Sequence, residues 1–376
     1  MDGARRPVAL GRAPSDRVVT TAPRVLHVAQ TAEYGVGRYV DLLLRDQQQR
    51  GWPVAFAGPT LDADVEQHRW TATRQPGPGT VGETRALARI VREVQPDVVH
   101  LHSSKPGLAG RLLLRGRQPT IFQPHAWSFF AVTGAPRLAT TAWERVGARW
   151  ARVIVCGSEA ERAAGEAAGI RARWEVVPNS VDVERFSPAD RDEARRALGL
   201  PPGERIVVCA ARLAVSQKGQ DVLLAAWPAV TAAVPEARLV LVGDGPDRDA
   251  LQRAASARVD FAGEQADTAP WFRAADVVVQ PSRYETLSLS VLEALACGRP
   301  VVATDAIGMK EAVGDAGEVV PLDDGPALAH ALVARLRDPA SAADEGARGR
   351  ARVVARYSLA AWGDRLADLT LAAARS

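Results

Sequence analysis

The chain has 376 residues, of which 47% are hydrophobic and 24% are charged. This balance is typical of globular proteins and excludes a largely disordered chain, while the length predicts two domains or one large one. No apolar run approaches the roughly 20 residues that cross a bilayer, and residues 1–21 lack the apolar core of a secretory signal. Three cysteines at no metal-like spacing argue against a disulfide scaffold and a zinc site. We therefore expect a soluble, cytoplasmic protein.

The net charge of +3 is unevenly distributed along the chain. Residues 1–183 carry 24 basic and 17 acidic side chains, whereas the remainder carries 23 and 27. A basic half followed by an acidic half indicates two domains with different partners.

Short runs rich in Val and Ile alternate with longer amphipathic stretches in the first half of the chain. Residues 1–22, which are rich in Arg and contain two Pro, predict a flexible tail. The apolar spacing of residues 81–94 predicts a helix, and strands separated by such helices indicate a parallel α/β sheet. Buried strands are predicted at residues 24–30, 54–58, 97–102, 119–125 and 152–156.

The same alternation starts again after residue 182, with a hinge predicted near residues 178–200. Two successive α/β domains of similar size are therefore predicted. Ligands of open α/β sheets bind beyond the carboxyl ends of the strands, so we expect the site in the cleft between two facing sheets. The predicted strands of this half are residues 205–211, 238–243, 259–262, 276–280 and 300–304.

Several common nucleotide-binding motifs are incomplete. Gly35 with Gly37, and Gly243 with Gly245, follow predicted strands as a dinucleotide fingerprint would. Neither pair has the third glycine in place, and no acidic residue ends the strand at 54–58, which argues against a dehydrogenase. The Gly-x4-Gly-Lys-Ser/Thr motif of a P-loop is absent from the sequence. Acidic pairs in the chain follow no predicted strand end, and we interpret them as solvated surface.

Three histidines lie at or near predicted strand ends in the first domain. His100 and His102 share one face of a strand, and His125 ends the next strand. A metal needs three or four converging ligands with outer-shell support. The sequence shows no further clustered partner, so we expect loop or cleft roles for these histidines and no metal site.

The strongest signal is a pair of glutamates around a predicted helix start. Glu285 lies in a turn after the strand at 276–280, and Glu293 lies two turns along the following helix. Unpaired backbone N–H groups and the positive dipole end make such a helix start a ready site for phosphate or sugar oxygens. A carboxylate on each side can accept hydrogen bonds from a pair of hydroxyls.

With this block the sequence resembles the retaining glycosyltransferases of family 4, also called glycosyl transferases group 1, which have the two-domain GT-B fold. That family carries Glu-x7-Glu in this setting, which Glu285 and Glu293 match. It also carries an Arg and a Lys-Gly pair after the first strand of the second domain, matched by Arg212 and Lys218. Residues 178–182 resemble the family's Pro-Asn-Gly-Val-Asp segment at the domain junction.

The resemblance covers residues ~24 to ~370 and implies an α/β GT-B architecture, two Rossmann-like domains whose parallel sheets face an interdomain cleft. We expect an acceptor-side domain at 23–183, a nucleotide-sugar domain at 184–356, and a C-terminal helix at about 357–376 that packs back on the first domain. The donor site implied by the resemblance comprises Gly35, Gly37, Arg212, Lys218, Glu285, Thr286, Leu287, Ser288 and Glu293.

The family also implies a role for each of these side chains. Arg212 and Lys218 neutralise the diphosphate of the donor, Glu285 binds hydroxyls of a hexose, and Glu293 binds those of a ribose. His125 falls where many members place a cleft histidine, and with Arg212, Lys218 and Glu285 it completes the predicted catalytic set. We expect no metal and no cofactor, because two cations and backbone donors oppose the leaving-group charge.

The sequence leaves the acceptor open. One hypothesis is a transferase extending a lipid-linked glycan in polysaccharide or glycolipid assembly. The alternatives are a transferase acting on a small soluble acceptor in natural-product biosynthesis and a non-catalytic binder of sugar nucleotides. No nucleic-acid partner is expected.

A membrane contact is predicted from the basic first domain. Arg111, Arg115 and Arg117 cluster after one strand end, and a stretch from Trp127 to Trp150 mixes aromatics with arginines. Such a surface favours an anionic membrane interface at the inner face of the membrane. The alternative is that the aromatics are buried behind an ordinary solvated basic face.

Overall fold

A computed structural model describes residues 22–31, 34–73 and 77–375, so the predicted tail lies outside the described residues except for Ala22. Among these residues the chain forms two parallel β-sheets, one of seven strands and one of six. Helices follow most strands, as βαβ crossovers require. The prediction of two Rossmann-like α/β domains is confirmed.

The first sheet is built from residues 25–176, with strand order β3-β2-β1-β4-β5-β6-β7. Its inner strands are buried along their whole length, because helices cover both faces of a parallel sheet. The elements are β1 Val25–Val28, α1 Tyr34–Gln49, β2 Val54–Gly58, β3 Glu66–Arg69, α2 Thr80–Val94, β4 Val98–His102, α3 Ser104–Leu114, β5 Thr120–Gln123, a 3₁₀ turn Ser128–Phe130, α4 Gly134–Gly147, a 3₁₀ turn Ala148–Trp150, β6 Val153–Cys156, α5 Glu159–Ala167 and β7 Trp174–Val176.

The second sheet has strand order β10-β9-β8-β11-β12-β13 and follows the same plan. Two hydrophobic clusters, one on each face of the sheet, form its core. The elements are α6 Arg191–Ala197, β8 Arg205–Ala210, α7 Val215–Lys218, α8 Gln220–Ala233, β9 Ala237–Val242, α9 Arg248–Ala254, β10 Val259–Gly263, α10 Ala269–Ala274, β11 Val277–Gln280, α11 Leu289–Ala296, β12 Val301–Thr304, α12 Met309–Val313, β13 Gly317–Val320, α13 Gly325–Arg337, α14 Pro339–Arg356 and α15 Leu359–Arg375.

Each sheet has one point where the strand order reverses. In the first sheet this switch point lies between β1 and β4, and in the second between β8 and β11. The connections leaving the two strands diverge to opposite faces there, which opens a crevice at the carboxyl ends. The loops that follow β1, β4, β8 and β11 therefore border the two crevices.

The chain crosses between the domains twice, and the two crossings lie side by side. Val181 on the outward crossing forms a parallel bridge with Ser358 on the return, and its N–H donates to the carbonyl of Tyr357 at 2.9 Å. After the return, α15 packs against the first sheet. Its Trp362, Leu366 and Leu369 are buried in the same hydrophobic cluster as β1 and α1, so the C-terminal helix contributes to the core of the first domain.

Three strands at the edges of the sheets, β3, β7 and β13, are not predicted from the sequence because none of them contains an extended apolar run. β3 reads Glu-Gln-His-Arg and is largely exposed, while β7 and β13 are half-buried. A strand at a sheet edge packs on one side only, so its sequence need not be apolar. Their hydrogen bonds to β2, β6 and β12 define them instead.

Candidate active site

Two glycines set the shape of the loops at the switch point of the second sheet. Gly219 follows α7 with a φ of 63°, and a Cβ there would overlap the carbonyl oxygen of Pro281. Gly308 precedes α12 with a φ of 78°, and a Cβ there would overlap the carbonyl oxygen of Thr286. Glycine alone tolerates such approaches. Gly219 therefore lets the Lys218 loop lie against the segment before α11, and Gly308 lets the loop before α12 do the same.

Lys218 and Glu285 form an ion pair with each other at this point. Their side chains are only 17% and 12% exposed, so neither is a freely solvated surface charge. The same Oε1 atom of Glu285 accepts a hydrogen bond from the Ser282 hydroxyl at 3.0 Å, and that hydroxyl accepts one from Gln280 at 2.9 Å. A ligand that binds Lys218 must therefore share or replace its contact with Glu285.

Arg212 lies in the loop after β8 and is half-buried. Its carbonyl oxygen accepts a hydrogen bond from Gln220 Nε2 at 2.8 Å, which ties the loop to the first turn of α8. Since β8 pairs directly with β11, the loops that carry Arg212 and Glu285 leave the same edge of the sheet.

Thr286, Leu287 and Ser288 lead into α11, whose N-terminus has no side-chain cap among the residues that the structure describes. Its first N–H groups therefore remain available as donors at the positive end of the helix dipole. Leu287 is buried, and its carbonyl accepts a hydrogen bond from Asn179 Nδ2 at 2.6 Å. The domain junction thus holds the backbone of this loop, and Leu287 contributes its backbone rather than its side chain to the cleft.

Glu293 is buried on α11 and pairs across the cleft with Arg38 of α1, with 2.7 Å between Nη1 and Oε1. Burial raises the pKa of Glu293, and Arg38 partly opposes that shift. Its second oxygen, Oε2, has no hydrogen-bond partner among the described residues. Sequence reasoning missed Arg38, although it directly follows Gly37.

Gly35 and Gly37 lie within the first turn of α1 rather than in a turn before it, because the helix already begins at Tyr34. A Cβ on Gly35 would lie 3.8 Å from Cδ1 of Leu289, the first residue of α11. The starts of α1 and α11 therefore face each other across the cleft. A side chain at position 35 would narrow the gap between them.

His125 follows β5 and is partly exposed. The backbone is strained here, with positive φ values of 49° at His125 and 98° at Ala126. The carboxylate of Glu161 on α5 accepts hydrogen bonds from the N–H groups of Ala126, at 2.8 Å, and of Gly157, at 2.7 Å. Burial raises the pKa of Glu161 to about 7. Strain of this kind clusters at functional sites, and sequence reasoning did not identify Glu161.

His27, His100 and His102 pack behind His125, and one ring nitrogen from each of the three lies within 4.8 Å of those of the other two. The first two are paired residues of the adjacent strands β1 and β4, so they lie on one face of the sheet. His27 is the clustered partner that the sequence did not reveal, since residues 73 positions apart meet only through strand pairing. The expectation of loop or cleft roles is therefore wrong for His100 and His102, because both belong to β4 and are buried in the core.

These histidines predict a specific acid sensitivity. Burial lowers the pKa of His27 to about 4 and that of His125 to about 3. Below pH 6.5 these histidines bind protons in the unfolded chain that they exclude in the folded chain, so their contribution to the free energy of unfolding should fall as the pH drops from 6.5 towards 4. His27 alone should account for about 3 kcal/mol of that loss. Glu161, whose pKa burial raises, contributes in the opposite direction.

Denaturant titrations between pH 7.5 and 4.5 measure this slope. His27→Gln should reduce the slope, whereas His330→Gln, at an exposed position on α13, should leave it unchanged. An identical slope in His27→Gln and the parent protein would contradict the prediction.

The predicted basic surface is only partly present. Arg111 is fully buried, where its guanidinium pairs with Glu144 at 2.7 Å and lies over the Phe122 ring. Trp127 and Phe129 are buried as well. The expectation that they belong to a surface cluster is therefore wrong, because Glu144 supplies a buried countercharge and the aromatic rings fill the core. No helix in the described ranges is long and apolar enough to span a bilayer.

Comparisons with known proteins agree with this geometry. Residues 34–185 match the model of Glycosyltransferase Family 4, and residues 204–338 match that of Glycosyl transferases group 1. A GDP-mannose-dependent monoacylated alpha-(1-6)-phosphatidylinositol monomannoside mannosyltransferase of Corynebacterium glutamicum is 33% identical over 329 residues, covering 81% of this chain and 84% of the relative. The chain belongs to glycosyltransferase family 4.

Two further mannosyltransferases are similar to this glycosyltransferase. A GDP-mannose-dependent alpha-(1-6)-phosphatidylinositol monomannoside mannosyltransferase of Mycolicibacterium smegmatis is 35% identical over 75% of this chain and 78% of its own. The lipopolysaccharide core biosynthesis mannosyltransferase of Rhizobium meliloti is 32% identical over 58% of this chain and 67% of its own.

Solved structures place this glycosyltransferase in the GT-B fold. Sucrose-phosphate synthase from Thermosynechococcus elongatus superposes with a TM-score of 0.79 at 25% identity, covering 92% of this chain and 98% of that one. WaaG, a glycosyltransferase involved in lipopolysaccharide biosynthesis, superposes with a TM-score of 0.76 at 17% identity, covering 92% and 99%.

Proposed function

We propose that this glycosyltransferase moves a hexose from a nucleoside diphosphate sugar to a hydroxyl of a lipid-linked acceptor, with retention of anomeric configuration and without a metal ion. The observation that supports the proposal most is the convergence of Lys218, Glu285 and the uncapped start of α11 at one switch point. The Arg212 loop leaves the same sheet edge. A cation, a carboxylate and backbone donors are what a diphosphate and sugar hydroxyls require.

Breaking the sugar–phosphate bond builds negative charge on the departing diphosphate. Lys218, Arg212 and the first N–H groups of α11 oppose that charge in a cleft where water is partly excluded, so fixed electrostatics stabilise the transition state. On binding, the phosphate takes over the contact that Lys218 makes with Glu285. This exchange releases Glu285 to accept hydrogen bonds from the hexose.

In the proposed retaining reaction, the acceptor hydroxyl attacks from the face that the leaving group vacates. Its proton passes to the departing phosphate, so the chain needs no nucleophile of its own. His125, at the partly exposed end of β5, orients the donor hexose or the acceptor hydroxyl. The pair Arg38 and Glu293 joins the two domains at the ribose position.

The relatives' names favour a lipid-linked acceptor, since two act on phosphatidylinositol mannosides. They also make GDP-mannose the first donor to test. The purified chain, incubated with GDP-mannose and phosphatidylinositol monomannoside, should release GDP and form an extended glycolipid. Release of GDP only with a small soluble acceptor would favour the alternative of natural-product glycosylation. Tight donor binding without any transfer or hydrolysis would instead favour a non-catalytic binder.

Activity is expected to persist in excess EDTA. Lys218 and Arg212 take the place that a divalent cation has in metal-dependent transferases, so the leaving group needs no added metal. Initial rates with and without the chelator, after gel filtration to remove metal, measure this. A complete loss of activity that Mg²⁺ or Mn²⁺ restores would contradict the metal-independent proposal.

Membrane contact is proposed to involve α4. Leu138 and Val146 of this helix are 74% and 42% exposed, and Arg137, Arg145 and Arg149 lie exposed near them. Exposed apolar residues beside arginines suit an anionic interface, where each basic residue adds about 1 kcal/mol. The patch thus rests on α4 rather than on the buried aromatics.

Flotation with liposomes tests this contact. Recovery should be higher with anionic than with neutral vesicles, and Leu138→Glu should lower it. Val354→Glu, at an exposed valine of α14 in the second domain, is the matched control and should have no effect. Equal recovery with both vesicle types, or equal effects of the two variants, would count against the membrane surface.

A further inference from the structure

Four of the six histidines in the sequence meet in one buried cluster behind the cleft. Three of them and one glutamine form a continuous hydrogen-bonded series, which we call the histidine chain. Its contacts are His125 Nε2 to His102 Nδ1 at 3.1 Å, His102 Nε2 to His27 Nδ1 at 3.1 Å, and His27 Nε2 to Gln47 Oε1 at 2.8 Å. The histidine chain runs from the partly exposed His125 to the buried Gln47 on α1.

Gln47 gives the histidine chain a direction. Its Oε1 atom only accepts, so the proton of His27 must lie on Nε2, which leaves Nδ1 as an acceptor. By the same logic His102 carries its proton on Nε2 and accepts at Nδ1, and His125 carries its proton on Nε2. Within the described residues His125 Nδ1 makes no hydrogen bond, so its lone pair is available at the cleft end of the chain.

We infer that Gln47, acting through His27 and His102, holds His125 in the single tautomer whose Nδ1 accepts a hydrogen bond from a hydroxyl in the cleft. Gln47, His27 and His102 are then positioning residues for the transfer reaction. The inference rests on the proposed function only in its last link, the contact between His125 and a substrate hydroxyl. The tautomer itself is a property of the resting protein.

The surroundings of the histidine chain keep its imidazole rings neutral. Burial lowers the pKa of all four histidines. The other titratable groups around them are Tyr39 on α1, whose ring contacts those of His102 and His125, and Glu161 on α5. Burial raises the pKa of both, and Trp362 of α15 closes the cluster against Tyr39. Within the part of the chain that the structure describes, a protonated imidazole would therefore have no compensating charge in direct contact.

A proton relay fits the histidine chain poorly. A proton taken up at His125 and passed inward would leave its charge on His27, because the Gln47 amide cannot accept a proton. A metal ion fits poorly as well, since His27 Nδ1 and His102 Nε2 already satisfy each other at 3.1 Å. Fixing the tautomer of His125 is the one of these three roles in which every hydrogen bond of the histidine chain takes part.

The backbone fixes the same ring from the other side. His125 and Ala126 have positive φ values, and Ala126 N–H donates to Glu161 at 2.8 Å. Ser103, which follows β4 directly after His102, also has a positive φ of 73°. Strain at both strand ends is consistent with a ring whose orientation matters for function.

Nitrogen-15 NMR of the full chain labelled in histidine reads the tautomer directly. At pH 7 His125 should carry its proton on Nε2 and none on Nδ1. Gln47→Glu, which keeps an acceptor, should preserve that state, and Gln47→Leu should yield a mixture of tautomers. Gln49→Leu, at an exposed position on the same helix, should change nothing. A proton on His125 Nδ1 in the parent protein, or a single unchanged tautomer in Gln47→Leu, would overturn the inference.

Kinetics of the same variants test the link to the reaction. Gln47→Leu should lower kcat about tenfold, the effect of one well-formed hydrogen bond, with little change in the KM for the donor. Gln47→Glu should recover most of the activity. If the tautomer shifts while kcat does not, the last link is wrong. A parent protein that transfers no sugar refutes the proposed function and leaves the NMR result readable. Stoichiometric bound metal in the purified protein, lost in His27→Gln, would replace the hydrogen-bonded chain by a metal site.

Discussion

Lys218→Ala is expected to lower turnover by about 100- to 1,000-fold while the fold survives. Loss of one preorganised group that stabilises leaving-group charge costs about 2.7–4 kcal/mol. The variant also leaves Glu285 without its ion-pair partner. The carboxylate proposed to bind the hexose is then held in position less firmly. Arg212→Ala should act in the same direction, because its loop leaves the same edge of the sheet.

Steady-state turnover, with a thermal unfolding curve for each variant, measures this effect. Lys310→Ala is a suitable control, since that lysine is 71% exposed and pairs only with Asp305 among the described residues. Arg348→Ala serves the same purpose for Arg212, because Arg348 is exposed on α14. If Lys218→Ala and Arg212→Ala both kept turnover close to that of the parent, the assignment of the diphosphate to these cations would be wrong.

Glu293→Ala should weaken binding of the free nucleoside diphosphate by about 10- to 100-fold, whereas Glu285→Ala should leave that affinity nearly unchanged and reduce transfer. The two variants should differ because Glu293 is proposed to bind the ribose of the nucleotide, whereas Glu285 is proposed to bind the hexose. A hydrogen bond to a charged group contributes about 1.5–3 kcal/mol. The unpartnered Oε2 of Glu293 is the atom expected to accept from the ribose.

Isothermal titration with the nucleoside diphosphate, beside transfer assays, separates the two roles. Arg38→Ala is an informative companion, since it removes the partner of Glu293 across the cleft without touching the carboxylate. It should weaken nucleotide binding less than Glu293→Ala does. Equal losses of nucleotide affinity in Glu285→Ala and Glu293→Ala would refute the separate roles.

Much of the fold could be predicted from sequence because its information is local. Buried parallel strands such as β6 and β12 are short runs of mostly apolar residues between helices, and such a run can be recognised without knowing which strand it pairs with. The helix predicted at residues 81–94 is observed as α2 for the same reason. The glutamates around α11 were visible because both belong to one strand–loop–helix unit.

The contacts that the sequence did not reveal join residues that are far apart along the chain. Arg38 meets Glu293 only because the two domains face each other, and His27 meets His100 only because β1 pairs with β4. The sequence predicts Arg111 at the surface, whereas in the structure it is buried and forms an ion pair with the buried Glu144. A side chain's charge and its neighbours in sequence do not specify its burial, since burial depends on the packing of distant elements.

The two parallel α/β units, their order and the residue types at the strand ends follow from local patterns in the amino-acid sequence. Which of those residues touch follows from the folding of distant segments against one another. The tertiary structure pairs Lys218 with Glu285, places Gly35 opposite α11, and lines up three histidines with Gln47. Secondary structure follows from local periodicity, whereas the distances and protonation states of a site follow from strand register and domain apposition, which only the folded chain supplies.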